Sequence, residues 1–170
     1  MYFKRCFSLL LFTVFLFTKV QSQNTIEALK KELQLAKHDT IRCDILDQLI
    51  EIASDGEWQK YNEQMKQLAM KDLELKPKGR LLVVLSRYYA TALHNEGIMY
   101  SEQSNDYKAI EYFNKSIEVC KSSGNRNQMA ISLQAIAQID IRKGNNTKAL
   151  NQLYDCLKIF EEEGDEIGIA

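Results

Sequence analysis

Shifting the chain by 40 residues aligns 90–130 with 130–170 without a gap, and 7 of the 41 pairs are identical. They are Ala90/Ala130, Leu93/Leu133, Asn105/Asn145, Lys108/Lys148, Ala109/Ala149, Gly124/Gly164 and Ala130/Ala170. Ordinary composition would give about two or three by chance. Many unmatched pairs keep their character, as in Ile110/Leu150, Phe113/Leu153, Ile117/Leu157 and Val119/Ile159. A unit that recurs at fixed spacing buries its apolar face against its neighbours, so the chain reads as a stacked array.

The period within each unit is that of a helix. Ile26, Leu29, Leu33 and Ala36 open the pattern from Asn24, where Asn24 and Glu27 have capping-box spacing. Further segments are expected at about Thr40–Ser54, from Trp58 to the Lys76-Pro77-Lys78-Gly79 breaker, and at Arg80–Gln103. Three more follow at Tyr107–Ser122, Asn127–Lys143 and Thr147–Glu163, with Gly124-Asn125, Gly144-Asn145 and Gly164-Asp165 as stops. No stretch sustains β alternation. Connections this short make successive helices pack antiparallel, so the fold class is all-α, a solenoid of about seven helices in hairpins.

The repeated residues resemble the tetratricopeptide repeat family, whose pattern is W-x2-L-G-x2-Y followed by A-x3-F. Leu93 takes the Trp place, Gly97-x2-Tyr100 matches, and Ala109-x3-Phe113 matches. The next unit offers Leu133, Ile136-Ala137 and Ala149-x3-Leu153. Small residues at 97, 109, 137 and 149 let paired axes approach toward the short end of about 8–10 Å. Glu96 and Asp140 depart from the pattern, which asks for Leu and Tyr there. The resemblance implies a right-handed superhelix and a protein-binding role. The 40-residue period is similar to long variants in exported sensor regions of bacterial signalling proteins.

In the family, the first helices of successive pairs line a groove. The corresponding stripes here are Thr91, His94, Ile98, Ser101 and Glu102, then Ile131, Gln134, Gln138, Ile141 and Arg142. Their mixed apolar and hydrogen-bonding character suits an extended peptide or a partner's helix. The competing expectation is that Ile98, Ile131 and Ile141 pack against the next helix of this chain.

The amino terminus is a different object. Lys4 and Arg5 precede the apolar run Cys6–Phe17, and Thr18–Gln23 is polar, with Val20 and Ser22 small before a cut. This is the order of a secretory signal, and the run is too short for the roughly 20 apolar residues of a membrane span. The chain therefore divides into a signal peptide at 1–22, N-terminal helices at 23–79 that read as a degenerate repeat, repeats at 80–126 and 127–165, and the start of another at 166–170. The expected location is periplasmic or extracellular, with a membrane tether if the signal stays uncleaved. Cys43, Cys120 and Cys156 remain after cleavage, an odd number. They read as buried core thiols, with a Cys120–Cys156 bridge as the alternative.

Chemistry finds little support. The only histidines are His38 and His94, and no metalloprotease, nucleophile-elbow or phosphate-loop motif occurs. No catalytic residue, metal or cofactor is expected. Twenty-two basic against 23 acidic residues give no electrostatic case for nucleic acid. The expected partner is a protein or peptide, with self-association through the uncapped C-terminal hairpin also open. The alternative is the sensory front of a longer signalling protein whose kinase or DNA-binding part lies beyond residue 170.

Overall fold

The computed structural model describes residues 25–54, 56–164 and 168. The expected signal peptide, the Asn24 cap and all but Gly168 of the expected further repeat lie outside them. The described residues form α1 (25–35), α2 (Asp39–Ile52), α3 (Trp58–Glu74), α4 (Gly79–Glu102), α5 (Asp106–Ser123), α6 (Arg126–Arg142) and α7 (Asn146–Glu163). Among them there is no strand. From α2 onward the ends fall within two residues of the expected ones.

The chain divides into two units, the first ending at Tyr61 and the second beginning at Asn62. In the first, Cys43, Ile45, Leu46 and Leu49 form the buried stripe of α2, spaced as one helix face requires. In the second, α4 packs on α5, α5 on α6 and α6 on α7, and α4 also meets α6. This is an all-α helical-repeat stack of the tetratricopeptide type.

Local chemistry sets the turns of this stack. Asn105 caps α5 by accepting from the Lys108 N–H at 3.2 Å, and Asn125 caps α6 by accepting from Gln128 at 3.4 Å. Gly124 and Gly164 end α5 and α7 in the left-handed conformation, at φ 75° and 69°. A side chain there would carry a Cβ penalty, which is why glycine recurs at this point of the repeat.

The stack interior is built across hairpins. Phe113 and Ile117 of α5 pack with Ala135, Ile136 and Ile139 of α6, and Ile98, Tyr100 and Ile110 close the edges. The next layer joins Ala130 of α6 to Cys156, Ile159 and Phe160 of α7. The repeat extends to a side-chain contact. Ser116 Oγ donates to the Ala90 carbonyl at 2.8 Å, and Cys156 Sγ donates to the Ala130 carbonyl at 3.2 Å. Donors and acceptors in these two bonds are each 40 positions apart.

The two departures from the family pattern have partners of their own. Asp140, 2% exposed, accepts from Asn145 Nδ2 at 3.0 Å and pairs with Lys148 Nζ at 2.9 Å. The Asn145 bond, and then Lys148, hold its carboxyl below the usual range. Asn145 makes no side-chain cap on α7, unlike Asn105 on α5. Glu96 pairs with Lys66, which also meets Glu63 at 2.6 Å.

The cysteine question resolves toward the core. Cys43, Cys120 and Cys156 are free thiols and all buried. Burial raises both Cys120 and Cys156 to about 11. The bridge alternative is not formed: both thiols are free, and Cys156 Sγ donates to the Ala130 carbonyl.

Candidate partner-binding face

The two sequence stripes meet different fates. On α4, Thr91 Oγ1 donates to Gln128 Oε1 of α6 at 3.2 Å. His94 Nδ1 lies 3.2 Å from Ser132 Oγ of α6, and the His94 ring stands 5.1 Å from that of Phe113. Ile98 packs against the α5–α6 core. Ser101 Oγ accepts from Arg142 Nη2 of α6 at 3.0 Å. Thr91, His94, Ile98 and Ser101 thus serve the contact between successive first helices, and Glu102 alone of that stripe is exposed.

Buried polar atoms join this contact in a directed chain. Ser116 Oγ has one proton and gives it to the Ala90 carbonyl. Ser132 Oγ, 3.0 Å away, must then donate to Ser116. With that proton used, Ser132 accepts from His94, so Nδ1 carries a proton. Desolvation keeps the ring neutral, pushing His94 down to about 4 from its ordinary 6.5. Ser116 and Ser132 are fully buried, and sequence reading passed over both. The available signal was the pairing of Ser116 with Cys156 in the repeat, two small side chains each carrying a weak or strong donor.

Arg142 is exposed but engaged. Besides Ser101 it donates to Asp106 Oδ1 at 2.8 Å, and Lys143 stands 3.4 Å from the other oxygen. The Arg142 bond, with help from Lys143, holds the Asp106 carboxyl below its ordinary value. The rest of the α6 stripe is open. Ile131 is 39% and Ile141 50% exposed, and Gln134 and Gln138 are exposed between them. These positions are the 40-residue equivalents of Thr91, His94, Ile98 and Ser101, and among the described residues no helix lies on the α6 face as α6 lies on that of α4.

On the side of the second helices, a groove of about 540 Å³ runs between α5, α6 and α7. Ile117, Met129, Leu133 and Ile159 floor it. Arg126 spans its end, bonded to Glu162 at 2.5 Å and facing Glu163 at 3.5 Å. Among the described residues no cluster of His, Cys, Asp and Glu is arranged to hold a metal ion. No described helix is long and apolar enough to cross a membrane.

Residues 88–162 match the tetratricopeptide repeat. This segment belongs to the tetratricopeptide repeat family. Its boundaries take in most of α4 and the whole of α5 and α6, and they end within the last turn of α7. Over 81 residues the chain is also 31% identical to response regulator aspartate phosphatase A of Bacillus subtilis (strain 168). That alignment covers 48% of this chain and 21% of the relative, so the chain spans about a fifth of the length of the protein it resembles. No solved structure matches the chain. Tetratricopeptide repeats are a protein-interaction scaffold, and the stack described above is such a module.

Proposed function

We propose that this chain is an exported helical-repeat module that works by holding a protein or peptide partner on the exposed face of α6, without catalysis of its own. The observation that carries the reading is the open stripe of Ile131, Gln134, Gln138 and Ile141. Its register equivalent on α4 is fully occupied by a neighbouring helix. Exposed isoleucines alternating with amides offer a partner apolar area plus groups that both donate and accept. Export follows from the 1–22 signal pattern, and residues 23–79 serve as a degenerate leading repeat. The phosphatase activity in the relative's name belongs to a protein of which this chain covers a small part.

A photocrosslinking residue in place of Gln138, expressed in the native host, tests the reading. The expected result is a discrete protein adduct from the exported fraction, on a chain whose mature N-terminus is Gln23. A control at Lys121, on α5, is expected to give no such adduct. Adducts from position 121 with none from 138 would overturn the assignment of the face, and retention of the chain in the cytoplasm would overturn export.

One observation favours a second reading. The relative's name ties that protein to response regulators, and a sensory role in a longer signalling protein agrees with such a connection. Genomic sequence running past codon 170 into a kinase or DNA-binding segment would select it.

A further inference from the structure

We infer that the turn joining α3 to α4 is a contact site for an anionic membrane surface, with Lys76, Lys78 and Arg80 on the lipid headgroups and Leu75 and Leu81 in the layer beneath them. The inference does not draw on the α6 face, so it stands or falls separately from the partner-binding reading.

Charge is unevenly placed here. Between Glu74 and Glu96 the chain has no acid and four cations, Lys76, Lys78, Arg80 and Arg87. All four are exposed, and none forms an ion pair among the described residues. Cations elsewhere in the stack are matched: Lys66 by Glu96, Lys115 by Glu111, Lys121 by Glu118, and Arg126 by Glu162. Asp72 and Glu74 close α3 just before the turn, and the four cations outnumber them. The start of α4 adds to the same sign. Lys78 supplies no side-chain cap there, so the first N–H groups of the helix remain for outside acceptors such as phosphate oxygens.

Large apolar side chains stand at the same turn. Leu75 is 77%, Leu81 48% and Val83 42% exposed. Lys76 adopts φ 53° and Pro77 follows it, which separates the two helices. Every residue from Glu74 to Leu81 except Pro77 is exposed, so the turn is a tip and not a recess. Beyond it, Arg80, Val83 and Arg87 share one face of α4.

The shape of the tip selects its occupant. A protein partner would have to supply a matching recess for the leucines, set among its own acids. A lipid leaflet accepts apolar side chains anywhere beneath a continuous layer of phosphates. Each cation held near an anionic leaflet strengthens attachment about fivefold, and unpaired Lys and Arg beside exposed aliphatic groups combine both sources of binding.

Co-sedimentation with phosphatidylcholine vesicles, with and without about 40% phosphatidylglycerol, tests the inference. The mature chain from Gln23 is used, which carries every described helix. Removing Lys4, Arg5 and Lys19 from the 22 basic residues leaves 19 against 23 acidic ones, so bulk charge opposes binding and only a local patch produces it. Phosphatidylglycerol is expected to strengthen binding at least about tenfold, and salt to reverse the gain. Lys76→Glu with Arg80→Glu is expected to weaken it at least about tenfold. Leu75→Ser with Leu81→Ser is expected to weaken it about tenfold at unchanged charge. Both leucines are exposed, and circular dichroism checks that each variant keeps its helices. Lys121→Glu with Lys158→Glu changes net charge equally on α5 and α7 and is expected to weaken binding less than about twofold. Absence of phosphatidylglycerol-dependent binding, equal losses from the two charge-reversed pairs, or a leucine pair without effect overturns the inference. Binding to polyglutamate and not to vesicles assigns the tip to an acidic protein and overturns it as well.

Discussion

The Phe113 ring occupies the space that a side chain on residue 97 would need. A Cβ built on Gly97 would stand 2.5 Å from Phe113 Cε1 and 2.6 Å from Cδ1. Phe113 is 1% exposed and meets α6 on its far side, so the ring has nowhere to retreat. This close approach joins α4 to α5 and seats α6 on both.

Gly97→Ala is therefore expected to destabilise the chain by about 1–3 kcal/mol, despite the gain of up to about 1 kcal/mol that alanine brings to a helix interior. Urea unfolding followed by circular dichroism measures it. Adding Phe113→Leu should recover part of the loss, giving a favourable coupling in the double-mutant cycle.

Ser116 should tolerate the residue its repeat equivalent already uses. Ser116→Cys keeps a donor for the Ala90 carbonyl, as Cys156 does for Ala130, and is expected to cost under about 1 kcal/mol. Ser116→Val removes the side-chain donor to that carbonyl and the acceptor of the Ser132 hydroxyl, at about 1–3 kcal/mol. Equal losses for the two variants would show that the hydroxyl chain contributes nothing.

His94 makes the stack acid-sensitive. Its folded value, about 4, lies below the ordinary 6.5, so the unfolded chain binds more protons between those limits. The contribution is complete above pH 6.5 and is lost as pH falls toward 4, amounting to at most about 3 kcal/mol. Carboxylates such as Asp106 and Asp140, held low by their partners, release their share at more acid pH. His94→Gln keeps an N–H for Ser132 and should flatten the stability curve between pH 6.5 and 4. A slope unchanged from wild type would remove His94 as its source.

The three thiols should react with Ellman's reagent only as fast as the chain opens. All are buried, and the high values of Cys120 and Cys156 leave little thiolate at neutral pH. Full labelling is expected in denaturant, and a small fraction of that rate in native buffer. Rapid native labelling of Cys120 would contradict its place on the buried face of α5.

The periodic placement of Leu93, Gly97, Ala109 and Phe113 determined the helices, their pairing and the family, because a 3.6-residue period and a 40-residue recurrence are both written along one dimension. The glycine stops at 124 and 164 were legible for the same reason. What only the tertiary structure decided is which members of a stripe are free. Thr91 and Ile131 hold the same place in their repeats, yet one bonds to a neighbouring helix and the other faces solvent. That difference depends on whether a further layer is stacked above, which periodicity within a helix does not encode. Likewise, Ser116 and Ser132 look like ordinary surface serines until the α4–α5–α6 junction removes water from them and leaves them bonded to each other, to the Ala90 carbonyl and to His94.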